Sequence, residues 1–146
     1  MSKRCAPMVE KGAMFLFDTD TITNVVKPTP SRRLLRQIDQ LSVNQQYIST
    51  ITISEIVYGA EKSQRADYHL NNLEKILLPA VNIVGFDTKA AYICGRIRAE
   101  LEKRGTLLDL ADLEIASIAI ANDFTLITNN VRHFERIPLL RYENWL

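Results

Sequence analysis

The sequence predicts an α/β fold with a mostly parallel central sheet of four to five strands flanked by helices. Three observations lead there. Met14-Phe-Leu-Phe17 is an unbroken apolar run that stops at Asp18, and so short a run suits a strand covered on both faces. Residues 125–128 form a second run of this type and end in Asn129-Asn130. Between the two, segments of helical periodicity alternate with short β-type runs, which calls for crossover connections and parallel strands.

At 146 residues, 47% hydrophobic and 24% charged, the chain suits one globular domain. A formal net charge of +1 excludes a strongly basic nucleic-acid coat but leaves room for a local basic rim around an acidic cleft. No apolar stretch is long enough to span a membrane. Lys3 and Arg4 are not followed by a signal-peptide core. Cys5 and Cys94 do not make a disulfide framework. The expected location is the cytoplasm. Residues 1–13 lack periodicity and read as a flexible leader, with Met8 and Met14 as alternative starts, ahead of one domain over 14–146.

The elements follow in order. After the Asp18 strand, residues 22–26 make a short helix closed by Pro28-Thr-Pro30. Ser31 then caps a helix whose stripe is Leu34, Leu35, Ile38 and Leu41. Tyr47-Ile-Ser49 is a second strand. Residues 50–60 place Ile53, Ile56, Val57 and Ala60 on one helical face, with Glu55 beside it. Residues 65–77 read as one amphipathic helix stopped by Pro79, with His69 on its exposed side. A third strand spans 81–84. Asp87-Thr88 caps a long helix to Arg104 with Ala90, Cys94, Ile97 and Leu101 inward, and Gly105 supplies its left-handed end. Residues 113–120 are apolar around most of a helix, hence buried. After the 125–128 strand come a turn or short helix over 131–134 and an edge strand over 140–145.

In parallel α/β sheets the ligand crevice lies outside the carboxyl ends of the strands. Asp18 falls there, either as an N-cap or as a ligand of a hard cation. Glu55, near a helix start, reads as a dipole-stabilising acid or a ligand. Asp109 and Asp112 open a buried helix; an N-cap explains Asp109 and explains Asp112 less well. Glu114 lies about 200° round from Asp112 and faces away. The topology can gather Asp18, Glu55, Asp112 and Asn130 at one rim. Three carboxylates about 4–5 Å apart repel by a few kcal/mol per pair at an effective dielectric of about 20. Such a cluster predicts Mg²⁺ or Mn²⁺; zinc is disfavoured, since no Cys/His pair has its spacing.

Five segments occur in order: Phe17-Asp-Thr-Asp-Thr21, Thr52-Ile-Ser-Glu-Ile-Val-Tyr-Gly-Ala60, Ile97-Arg-Ala-Glu-Leu-Glu-Lys-Arg-Gly105, Asp112-Leu-Glu-Ile-Ala116 and Thr125-Leu-Ile-Thr-Asn-Asn130. Together with His133-Phe-Glu-Arg-Ile-Pro and Tyr142-Glu-Asn-Trp145, they resemble the PIN-domain ribonucleases, specifically the VapC-type toxins of toxin–antitoxin pairs. The resemblance covers Met14 to Trp145. It implies a PIN-like three-layer sandwich and a Mg²⁺-dependent endoribonuclease for single-stranded regions of RNA, with Mn²⁺ able to substitute. It also implies a homodimer and a cognate VapB-type antitoxin. By position, Asp18 and Asp112 correspond to the family's principal metal-binding aspartates and Glu55 to its helix-borne glutamate. Asn130 falls where many members carry a fourth acid and others an amide.

Three positions depart from the pattern: Asp20 stands where asparagine is commoner, Asp109 where glycine is frequent, and His133 replaces an acid. Asp20 or Asp109 could supply the missing acid, or each could be only a cap. Two rivals share parts of this reading. A dinucleotide binder would need a glycine-rich loop after the first strand, which is absent. A catalytically weakened PIN domain serving as an RNA- or antitoxin-binding module is kept open by Asn130 and His133.

Overall fold

A computed structural model describes residues 12–146. The expected leader lies outside the described residues up to position 11. Ala13 is already docked, its carbonyl accepting from Gln45 Nε2 at 2.9 Å.

Five strands form one parallel sheet: β1 (Phe15–Phe17), β2 (Gln46–Ser49), β3 (Asn82–Val84), β4 (Thr125–Ile127) and β5 (Tyr142–Glu143), in the order β3-β2-β1-β4-β5. The strand predicted to be covered on both faces is the middle one. Successive side chains point to opposite faces, so Phe15 and Phe17 enter one core with Ile22, Leu34, Leu73 and Trp145. Leu16 enters the other, with Leu101, Ile115, Ile118 and Phe134. The fold is the expected three-layer α/β sandwich. The edge strand expected over 140–145 shortens to two residues, and Trp145 beyond it packs on Phe15 with ring centroids 4.9 Å apart.

Most helices start where a short polar side chain satisfies a free backbone N–H. α1 (Thr19–Asn24) begins earlier than the sequence suggests, because Asp18 Oδ1 accepts from the Thr21 amide at 2.9 Å. Ser31 caps α2 (Arg32–Asp39), and Ser49, the last residue of β2, caps α3 (Thr50–Lys62). The single helix expected over 65–77 does not form. α4 (Ala66–Asn72) passes into a π turn (Leu73–Leu77) and a 3₁₀ turn (Leu78–Ala80). Pro79 has no N–H for the Lys75 carbonyl and its ring crowds that carbonyl, so the last turns relax.

Asp87 caps α5 (Thr88–Lys103) through the Ala90 amide. At its far end Gly105 takes φ +70°, and Thr106 N donates to Leu101 O at 2.8 Å while Gly105 N donates to Glu102 O at 3.0 Å. That pair is a Schellman end, which turns the chain into α6 (Leu110–Ala121). α6 packs extensively on α5 and is buried along most of its length, as its all-round apolar sequence predicts. α7 (Val131–Phe134) follows β4.

Any other L-residue at Gly105 must hold the left-handed conformation. Gly105→Ala is expected to lower stability by about 1 kcal/mol, read as a lower urea midpoint with an unchanged slope. An unchanged midpoint would show that the α5 end does not depend on glycine.

Candidate active site

The carboxyl edge of the sheet carries the chemistry. Asp18 leaves β1 with its amide bonded to the Ile127 carbonyl of β4 at 3.0 Å, which fixes it between the two central strands. Its side chain is 6% exposed. Burial pushes this carboxyl above its ordinary value; the Thr128 hydroxyl and the Thr21 amide oppose the rise, and the Asp20 charge adds to it.

Glu55 sits in the second turn of α3. Thr19 Oγ1 donates to Glu55 Oε1 at 2.5 Å and lies 3.0 Å from Thr52 Oγ1. Thr52 is fully buried, and its amide is held by Ser49. One oxygen of Glu55 is thereby fixed and the other left for external partners.

Asp112 is the third residue of α6. Burial raises its carboxyl, His133 lowers it, and the charges of Asp109 and Glu55 raise it further. His133 Nδ1 lies 3.4 Å from Asp112 Oδ2 and 2.8 Å from Asn130 Nδ2. One ring nitrogen cannot accept from the amide and donate to the carboxylate together. Unprotonated at Nδ1, the ring accepts from the Asn130 side-chain amide; protonated there, it donates to Asp112, and that is the state that lowers the Asp112 carboxyl. The Asn130 amide N–H in turn donates to Thr128 Oγ1 at 2.9 Å.

Asp18, Glu55, Asp112 and Asn130, the four residues singled out from the sequence, all line one cavity of about 90 Å³, with Asp20, Thr19 and Ile115. Asp109 and Glu114 do not line it. Asp109 takes the N-cap position of α6 but its side chain makes no capping bond, contrary to expectation; only its carbonyl is used, by Leu113 N. Of the two candidate replacement acids, Asp20 is therefore the one on the cavity wall. His69 is not on an exposed face: it packs edge-on to Tyr68 and lines a larger cavity of about 260 Å³ between α1, α3 and α4 that contains no carboxylate.

The acids are more loosely gathered than the sequence suggests. Among the described residues, no three Asp, Glu, His or Cys side chains converge closely enough to grip an ion. Their chemistry still fits a hard divalent cation. Four carboxylates and an amide, all oxygen donors facing the cavity, suit an ion that retains part of its water shell. The two most buried acids are both held in an unfavourable charged state that a cation would relieve. Thr19, Thr52 and Thr128, which orient these acids, were not evident in the sequence as functional. Their only signal was position, next to Asp18, on the Glu55 helix, and at the end of β4.

The chain matches the PIN domain family over residues 15–140. It is similar to the tRNA(fMet)-specific endonuclease VapC of Salmonella typhimurium, 37% identical over 90% of this chain and 97% of that protein. It is similar to ribonuclease VapC2 of Rickettsia felis, 35% identical over 90% and 98%. Among solved structures it resembles VapBC2 from Rickettsia felis bound to a promoter DNA fragment, with a TM-score of 0.84 and 33% identity over 91% of this chain and 99% of that one.

The raised carboxyls predict a pH dependence. A carboxyl whose folded value is raised contributes stability that is complete below its unfolded value, near 3.8, and is lost as pH climbs through the folded value. In chelator, the urea midpoint should therefore fall as pH rises above the ordinary carboxyl value of 3.8, and fall less in Asp18→Asn or Asp112→Asn. At neutral pH both substitutions should be neutral or slightly stabilising. A parallel fall in wild type and variants would place the pH-sensitive groups elsewhere.

Proposed function

Since the chain belongs to the PIN-domain family, in its VapC branch, we propose that it is the toxin of a toxin–antitoxin pair. In this reading it is a Mg²⁺-dependent endoribonuclease that cuts single-stranded regions of RNA in the cytoplasm and is silenced by a cognate VapB-type antitoxin. The observation that carries the reading is the meeting of Asp18, Glu55, Asp112 and Asn130, drawn from four separate segments, around one cavity. The similarity to a VapBC assembly supports the antitoxin. No helix of the described residues is long and apolar enough to cross a membrane.

Asp18 and Asp112 would hold the ion, through the faces of the two carboxylates that their hydrogen bonds leave open. A divalent ion supplies charge neutralisation at the phosphate and a more acidic water. Glu55, fixed by Thr19 through one oxygen, would use its second oxygen to orient an attacking water and accept its proton. Asn130 has one amide N–H on His133 and a second available to a phosphate oxygen.

Attack by the RNA's own 2′-hydroxyl would call for a base and an acid of near-neutral pKa, commonly two histidines. The chain has two; His69 lines the other cavity and His133 is bound by Asn130. Water is therefore the nucleophile, and the products are a 3′-hydroxyl and a 5′-phosphate. A second reading, a weakened domain that only binds RNA or antitoxin, is favoured by the amide at position 130 and by His133.

Three measurements test this. Cutting of RNA by the purified protein should require Mg²⁺ or Mn²⁺ and drop at least about 100-fold in Asp112→Asn with the fold intact, a loss larger than changing a residue behind the ligands typically causes. It should persist on a strand with one 2′-deoxy sugar at the cut position. A 2′,3′-cyclic phosphate, or loss of cutting from the deoxy sugar despite normal binding, overturns the water mechanism; metal-independent binding without cutting supports the second reading. Mn²⁺ at about 100 times its Kd should stabilise wild type by about 2.7 kcal/mol and raise its melting temperature, with a much smaller rise for Asp18→Asn. Light scattering should give about twice the 16.7 kDa chain mass.

A further inference from the structure

An acidic cleft repels the polyanion it is meant to cut, and a chain of net charge +1 exerts little pull from a distance. Cations close to the cleft must hold the strand. Arg98, Arg104 and Arg141 are engaged by Glu102, Glu100 and Asp123. Two basic side chains further along the chain from Glu55, one at the end of its helix and one just beyond, are arranged differently.

At 3.6 residues per turn, Tyr58, Gly59 and Lys62 lie on the same stripe of α3 as Glu55, running from the cavity toward the end of the helix. Tyr58 is 64% exposed. Lys62 Nζ donates to the Tyr58 hydroxyl at 3.1 Å and lies 4.9 Å from its ring centroid. Three residues on, the Arg65 guanidinium stacks on Tyr68 at 3.8 Å; Tyr68 is 42% exposed, and both residues stand on the wall of the larger cavity between α1, α3 and α4. Neither Lys62 nor Arg65 has a carboxylate partner among the described residues.

Gly59 supplies an independent observation. Glycine inside a helix costs about 1 kcal/mol relative to alanine, yet a Cβ at Gly59 would meet nothing within 4 Å. Packing within the chain does not call for glycine there. The notch it leaves is exposed, beside Tyr58, and open to close approach by something from outside.

Resting on the ribonuclease reading, we propose that Tyr58, Lys62, Arg65 and Tyr68 form the binding track for single-stranded RNA leading out of the catalytic cavity. Exposed aromatic faces stack unpaired bases whatever their sequence, and cations laid among them take the phosphates. Lys62 over Tyr58 and Arg65 over Tyr68 supply the charge, and Tyr58, the more exposed ring, is the principal stacking platform. The Gly59 notch lets the sugar–phosphate backbone lie against α3 on its way to Glu55. Duplex RNA, with its bases already stacked, gains nothing from this surface.

The test is fluorescence anisotropy of a labelled mixed-sequence RNA 12-mer, in EDTA to prevent cutting, against the full chain. Tyr58→Ala should weaken binding about 5- to 100-fold, the range of one lost base stack, whereas Tyr58→Phe should retain it. Lys62→Ala and Arg65→Ala should each make the log–log salt dependence shallower by about 0.7. Gly59→Leu should block binding while the Mn²⁺-induced melting shift stays at its wild-type value. Binding of the corresponding duplex should be insensitive to Tyr58→Ala.

Unchanged single-strand binding in all these variants overturns the track while leaving the ribonuclease reading intact. So does a fall to monomer mass in Tyr58→Ala, which makes the stripe a contact between copies, or selective loss of antitoxin capture, which makes it a protein surface. Failure of the unaltered chain to bind or cut any RNA overturns the ribonuclease reading and the track with it.

Discussion

Placing a carboxylate at the end of the middle strand of a parallel sheet is the constraint on which the rest of the site depends. Asp18 cannot move: its amide is bonded to Ile127 and its side chain to the Thr21 amide. Phe15, Leu16 and Phe17 behind it fill both cores. Its burial keeps the charged form costly, and the threonines around it only partly offset that cost. The other acids are delivered to this fixed point by different means: Glu55 by a helix capped directly from β2, Asp112 by a helix locked between α5 and the sheet. A site built on strand ends and helix starts is held by the scaffold without any loop having to close over it.

Much of this was legible because the relevant signals are local. An unbroken apolar run ending in Asp, Ser31 and Asp87 ahead of helical stripes, and Gly105 after one each have a single inexpensive structural solution. The parallel sheet follows from their alternation. What was not legible depends on partners distant in sequence. Nothing near Asp109 says that its carboxylate will leave the helix end uncapped. Nothing near Thr19 says that its hydroxyl will meet Glu55, thirty-six positions away. The break after Asn72 is intermediate: Pro79 was seen, but its effect was placed at the proline rather than a turn and a half before it. The wall position of Asp20, as against Asp109, needed the three-dimensional arrangement outright.

The pairing of Asn130 with His133 changes the character of one side of the cavity. A further acid there would add repulsion to the four carboxylates already on the cavity wall, two of which are raised. An amide instead contributes dipoles and can donate as well as accept, and the histidine that faces it keeps that donor oriented. The same ring nitrogen, when protonated, donates to Asp112 instead and lowers it against the pull of burial. This edge of the site is tuned for orientation rather than for charge.

The sheet order has a consequence for when the molecule becomes dangerous to its maker. β1 is among the first described segments to be synthesised, yet it is flanked by β4, and its aromatic face is covered by Trp145 near the other end. Domains made on the ribosome cannot pair a strand that has not yet emerged. Until β4 is available the Asp18 amide has no carbonyl to bond, and Asp112 and Asn130 have no place to stand. A nascent or prematurely terminated chain therefore carries the carboxylates without the cavity they line. The site is completed only when the last part of the chain is in place, leaving an interval in which a partner already present can be waiting.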